Sequence, residues 1–293
     1  MRGRHFVWVA LATFLVLVGM AANSLLARAA LAGHLISPTL FTMVRLGSGA
    51  LMLTILSAAR GVRLLRPQRN ALWLFVYATT FSYTYVILGA AMGALLLFFA
   101  VQFTMLTWAV RHGERLTVTH ILGALVALLG LYMLVALQLH RPAPWAVVGM
   151  LTAGAAWGLY SVGGRGIDTP LAHTATHFVY ATALALGLVL IRSALGVAPP
   201  PPHLMGLVDA VVSGGFTSAL VYLLWYAVLP QLTTVFAATI QVAVPIIVAL
   251  GAWLFLQEPL TLRLGVAGGL VLGGVALTMK KPKAQKRAAA NTY

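Results

Sequence analysis

Cysteine is absent from the chain. Disulfides and thiolate metal sites are thereby excluded, although cysteine usage says nothing dependable about compartment. Carboxylates are nearly as scarce: Glu114, Asp168, Asp209 and Glu258 are the only acidic residues among 293, and they are scattered. Membrane-embedded prenyl- or phosphotransferases need clustered carboxylates to hold Mg²⁺. No such cluster can form locally, which argues against an enzyme, and neither a metal nor a cofactor is expected. Lysine is missing until Lys280, so a retinal-type Schiff base inside a span is excluded. There is also no glycine-rich nucleotide loop, which removes direct ATP drive.

What the chain has in abundance is apolar surface. It is 61% hydrophobic and 8% charged, with a mean hydropathy of +0.96. A soluble domain of that composition could not cover itself with polar groups, so the fold class is an all-α polytopic membrane protein. A hydrocarbon core about 30 Å thick needs a helix of roughly 20 residues. Polar punctuation divides the chain into ten such runs: 6–26, 37–59, 71–89, 92–110, 117–138, 146–163, 171–191, 206–228, 232–256 and 261–279. The first run exceeds the roughly 7–15 residues of a signal-peptide core and is read as a span. Residues 71–110 contain no charged side chain at all, twice the length of one span. They must turn back, and the turn is expected around 89–93; Pro230-Gln231 similarly breaks the run 204–256.

The net charge of +15 invites a nucleic-acid partner, but the placement of the charge argues against one. Arginines cluster at the ends of apolar runs, where they orient a membrane protein. With the N-terminus inside, 14 basic residues fall in inward segments: Arg2, Arg4, Arg60, Arg63, Arg66, Arg69, Arg111, Arg115, Arg165, Lys280, Lys281, Lys283, Lys286 and Arg287. Four face outward, namely Arg28, Arg141, Arg192 and Arg263. This asymmetry predicts an inner (plasma) membrane protein with both termini cytoplasmic and a basic tail over 280–293.

The chain also repeats itself. The hairpin Gly113-Glu114-Arg115-Leu116-Thr117 matches Gln257-Glu258-Pro259-Leu260-Thr261, and the same shift sets Gly130 on Gly274. Internal repeats outrank single motifs as evidence of architecture. Because each copy holds five spans, an odd number, the copies are expected to face opposite sides of the membrane: 1–140 as the first repeat and 141–279 as the inverted second. Inverted repeats enclosing a midplane cavity are a common carrier architecture.

These residues carry a resemblance. Ten spans as five plus five, the two glutamate hairpins, Pro245 and a glycine-spaced last helix resemble the drug/metabolite transporter superfamily, in particular its EamA-domain family. The likeness covers almost the whole chain. Two departures are Gln257 where the first hairpin has Gly113, and the lack of a proline in span four to match Pro245. Trp157-x-x-Tyr160 and Ser82-Tyr83 are similar to exporters of the aromatic amino-acid type. The resemblance implies a secondary transporter that exports small metabolites, amino acids foremost, by alternating access. Export of other amphipathic drugs or metabolites, and a channel-like facilitator, stay open.

Read from the residues alone, the candidate substrate groups are few. Arg45 lies near the middle of span two, where an arginine is expensive enough to count as functional by default, and its fork of donors suits a carboxylate. Gln241 shares a face of span nine with Thr234, Ala238 and Pro245, and a proline there frees a carbonyl one turn earlier; interhelical packing is the alternative role. Gln102 is its counterpart in span four. Tyr77, Thr80 and Tyr83 in span three, Trp157 and Tyr160 in span six and Tyr222 in span eight would line a sparsely charged chamber for an amphipathic molecule. Structural roles are assigned to Glu114 and Glu258 as organisers of their hairpins, and to Gly265, Gly269 and Gly273 as a small-residue packing stripe. The expected partners are a small-molecule substrate within and membrane lipid around the bundle.

Overall fold

A computed structural model describes residues 2–135, 143–197, 199–256 and 262–279, and in these the backbone is helical with no strand. The helices are α1 (Arg2–Ala32), α2 (Pro38–Ala59), α3 (Arg69–Arg111), α4 (Val118–Val135), α5 (Pro144–Val162), α6 (Pro170–Ala194), α7 (Leu204–Gly214), α8 (Val221–Val228), α9 (Thr234–Ile240), α10 (Val244–Leu256) and α11 (Leu262–Thr278). Local chemistry sets several starts: Pro38, Pro144 and Pro170 occupy the first helical turn, where a missing N–H costs nothing. Ser37 caps α2 by accepting from the Leu40 amide. Seven segments are long and apolar enough to cross a membrane, and the shorter apolar helices Val118–Met133, Thr234–Leu250 and Leu262–Thr278 bring the number to ten.

The 43 residues of α3 form one run of helical backbone, about twice a bilayer in length if straight. Its contacts along α5 say that it doubles back. Going up α5, Gly149 meets Thr84, Trp157 meets Tyr77 and Gly163 meets Asn70, so the first arm runs antiparallel to α5. Gly154 meets Leu97 and Ala100, and Gly158 meets Val101 and Thr104, so the second arm runs parallel to it. The reversal therefore falls between the arms Arg69–Leu88 and Met92–Arg111, where the uncharged 40-residue run demanded it.

Helices α4 and α11 pack antiparallel with backbones almost touching. A Cβ on Gly123 would lie 2.6 Å from Gly274 O, and one on Gly130 2.7 Å from Ala267 O. The expected stripe of Gly265, Gly269 and Gly273 does not do this work. Nothing described lies within 4 Å of a Cβ built on any of the three, and all are exposed. The buried face of α11 is Ala267, Gly268, Val271, Gly274, Val275 and Thr278. A four-residue repeat fixes a stripe but not its azimuth, and here the stripe faces outward. Glu258, with its hairpin, lies outside the described residues.

Two irregularities shape the centre of the bundle. Between α7 and α8 the chain makes a π-helical turn at Gly215–Leu220. The preceding Gly214 approaches α2 so closely that a Cβ would lie 2.0 Å from both Arg45 O and Ser48 Oγ. Only glycine permits that approach. Between α9 and α10, Gln241–Ala243 form a 3-10 turn. Pro245 has no N–H to offer the carbonyl of Gln241, which the Val244 amide takes instead.

Candidate functional site

The π-turn aims Ser218 and Tyr222 at α2, and Arg45 meets both. Its Nε donates to Ser218 Oγ at 2.9 Å and its Nη2 to Tyr222 Oη at 2.7 Å. The guanidinium carbon stands 5.6 Å from the centre of the Tyr77 ring. Arg45 is 1% exposed, and its third nitrogen, Nη1, has no hydrogen-bond partner among the described residues. No carboxylate pairs with it there either. Asn23, on α1, supports the arrangement: its Oδ1 accepts from Ser213 (2.7 Å), Thr217 (3.3 Å) and Ser218 (3.3 Å). Nothing in the sequence of α1 announces the three hydroxyls waiting on α7 and the π-turn, so this role of Asn23 has no local signal.

An aromatic wall adjoins the arginine. Trp157 lies 5.0 Å from Tyr77, 4.6 Å from Tyr222 and 5.5 Å from Tyr160, ring centre to ring centre. Tyr160 stacks on Tyr226 at 4.9 Å. Gln241 orients the indole: its Oε1 accepts from Trp157 Nε1 at 2.7 Å, while its Nε2 donates to Ala237 O at 2.8 Å and reaches Met105 Sδ at 3.6 Å. The amide is therefore spent on protein partners. Gln241 positions Trp157 and binds α9 to α3 and α5, the interhelical role weighed above.

Of the predicted candidates, the structure thus brings together Arg45, Tyr77, Trp157, Tyr160, Tyr222 and Gln241. Three others show no contact with that group among the described residues. Thr80 donates back to Val76 O. Tyr83 pairs with Thr39 and lies under Arg192, whose guanidinium is 5.8 Å from its ring. Gln102 is buried one helical turn from Met105, and both of its amide atoms lack partners among the described residues.

Polar contacts tie the helices together beyond each end of the cluster. At the arginine-rich end, Glu114 accepts from Thr234 Oγ1 and from the Thr234 amide at 3.2 Å, and Arg165 Nη2 stands 3.8 Å from its carboxylate. Arg165 also donates to Leu229 O at 3.4 Å and Leu232 O at 2.8 Å. Burial lowers the Arg165 pKa, and the Glu114 carboxylate opposes that shift. Glu114 thus does cap a helix N-terminus, but that of α9, far along the chain, rather than the helix that follows it. At the opposite end the His203 amide donates to Leu35 O at 2.7 Å, joining the α1–α2 loop to the start of α7.

A further polar group escaped the sequence reading. Gln68 Oε1 accepts from His173 Nδ1 at 2.9 Å and His177 Nε2 at 2.7 Å, tying the start of α3 to α6. Isolated histidines at a span end give no local signal of such a partner.

Taken together, these features define a multi-pass helical membrane protein built around a buried cation and a wall of aromatic rings. Residues 144–280 match the EamA-like transporter family. Over 277 residues the chain is 44% identical to an uncharacterized protein of Pseudomonas aeruginosa, spanning 92% of this chain and 93% of that one. It is 26% identical over 226 residues to a protein of Archaeoglobus fulgidus described as an uncharacterized transporter, spanning 73% and 78% of the two chains. A solved crystal structure superposes with a TM-score of 0.72 over 90% of this chain and 97% of its own, at 24% identity, which shows a shared fold. The chain thus carries an EamA-like transporter family domain, of the drug/metabolite transporter superfamily. That family points to a membrane transporter with a small-molecule substrate.

Proposed function

We propose that the protein is a secondary carrier that exports small amphipathic metabolites, amino acids with aromatic or neutral side chains first among them. It would do so by alternating access of two inverted five-span halves, in the inner membrane with both termini cytoplasmic. The observation that carries this reading is the buried cluster of Arg45, Tyr77, Trp157, Tyr160 and Tyr222, drawn from α2 and α3 of one half and α5 and α8 of the other. A polar, aromatic centre held between two repeats is what an alternately exposed site requires.

The packing of α4 on α11 supports the inversion. Under the shift that sets Glu114 on Glu258, Gly123 corresponds to Ala267 and Gly130 to Gly274. The contact of Gly123 with Gly274 then becomes the contact of Ala267 with Gly130, so the two contacts exchange. That reciprocity is what a two-fold axis internal to the chain would require. Glu114 with Thr234 at one end, and Leu35 with His203 at the other, join elements of the two halves that such a cycle would have to part.

Coupling is read from the acids. Among the described residues Glu114, Asp168 and Asp209 make no contact with the cluster, so none of these carboxylates is seen placed there to carry a proton. The carrier is accordingly read as a facilitator driven by the substrate gradient, with coupling through a histidine or arginine as the alternative. Purified protein in liposomes, screened with radiolabelled amino acids and with uncharged amphipaths, tests the reading. Saturable uptake that falls at least tenfold in Trp157→Ala supports it. Uptake unaffected by that substitution would remove the aromatic wall from the pathway, and active accumulation under an imposed pH gradient alone would refute the facilitator form.

A further inference from the structure

Arg45 presents an imbalance that the protein itself does not resolve. A guanidinium in the middle of a membrane bundle is costly unless it is paired and hydrogen-bonded. Here two of its three nitrogens are satisfied by hydroxyls, which are neutral, and Nη1 is satisfied by nothing described. The charge has no counter-ion among the described residues. A second orphaned donor, Tyr160 Oη, belongs to the ring stacked on Trp157. What is missing is therefore a negative group with at least one accepting oxygen, beside a surface of aromatic carbon. By contrast, nothing in the cluster is a carboxylate that would receive an ammonium.

We infer that this buried cluster selects the cargo by a carboxylate, which docks on Arg45 Nη1 while an apolar body lies against Trp157, Tyr77 and Tyr160, and that the α-amino group is dispensable. The inference rests on the carrier reading above and narrows it from amphipathic metabolites to organic monocarboxylates, amino acids being taken for their acid end. Occupancy pairs the buried charge, because a planar carboxylate matches the guanidinium fork and a charge-assisted bond is the stronger kind. Ser218 and Tyr222 hold the guanidinium plane from behind, with Asn23 fixing Ser218. They are positioning residues rather than ligands.

Binding calorimetry on the full chain in lipid nanodiscs tests this with four probes that share one apolar body: 3-phenylpropionate, phenylalanine, phenylalaninamide and phenethylamine. The two carboxylates are expected to bind within tenfold of each other, and the amide and amine at least tenfold more weakly. Arg45→Gln should abolish the preference; Tyr222→Phe, which keeps the arginine, should weaken the carboxylates alone. Thermal unfolding of each variant identifies any that fail to fold, and Tyr222→Phe then carries the test. Equal affinity of amine and carboxylate, no binding by either carboxylate, or phenylalanine bound where 3-phenylpropionate is not would each overturn the inference. Failure of the two ideas is separable. Carboxylates that bind but never cross a liposome membrane defeat the carrier reading alone, whereas amines that cross as fast as carboxylates defeat the carboxylate assignment alone.

Discussion

Replacing Glu114 by glutamine should unlatch the arginine-rich end of the bundle. The carboxylate accepts two hydrogen bonds from Thr234 at the start of α9 and faces Arg165 at 3.8 Å. Hydrogen bonds to charged groups contribute about 1.5–3 kcal/mol against roughly 0.5–1.5 for neutral ones, so removing the charge while keeping an acceptor loses about 1 kcal/mol or a little more. The favourable placement of a negative charge at a helix N-terminus adds about 0.3–1 kcal/mol. The ion pair adds little, because the Glu114 and Arg165 side chains are 29% and 19% exposed. A total near 2 kcal/mol corresponds to roughly a thirtyfold rise in the open fraction, at about 1.4 kcal/mol per factor of ten. The chain has no native cysteine, so one introduced at Ala237, buried on α9, is a unique reporter. An impermeant maleimide added to inside-out vesicles should modify Ala237→Cys about thirtyfold faster in the Glu114→Gln background. Modification that is no faster, or that accelerates only from the other side of the membrane, would refute the latch.

Other substitutions probe separate joints. Gln241→Leu leaves Trp157 Nε1 buried without its acceptor and should cost about 1–3 kcal/mol, seen as a fall of several degrees in thermal unfolding together with reduced flux; an unchanged melting point would mean that the indole is held by packing alone. Gly214→Ala should fail to yield folded protein, since its methyl would overlap α2, and a normal elution profile and melting point would contradict the close approach of the π-turn. Gly265→Ala and Gly269→Ala should be neutral or slightly stabilising, with the methyl in open space and a better helix former in place of glycine. Loss of folding in either would restore the packing stripe that the structure denies.

Much of the architecture was legible because a bilayer is a severe constraint. Ten apolar runs of span length, and a 40-residue stretch too long for one span, admit few arrangements, and α3 doubling back was implied by length alone. The helix faces were partly legible: Tyr77, Trp157 and Arg45 converge as expected. What periodicity could not supply was the partner. Glu114 lies next to α4 in sequence yet caps α9, Asn23 gathers three hydroxyls from α7 and the π-turn, and Gln68 waits for two histidines of α6. Each of those bonds joins residues more than 100 positions apart, and a span sequence gives the spacing of a stripe without the direction it faces. The same blindness turned the stripe of Gly265, Gly269 and Gly273 toward the wrong neighbour, when Gly123, Gly130 and Gly274 make the close contact.

If one central site opens alternately to either side, as proposed, counterflow examines it most directly. Liposomes containing the protein are loaded with unlabelled phenylalanine or 3-phenylpropionate and diluted into a trace of the labelled compound. An alternating carrier predicts a transient accumulation of label above equilibrium that depends on the internal load and vanishes in Trp157→Ala. Label that enters only to equilibrium, at the same rate with or without an internal load, would mean a pore and contradict the account.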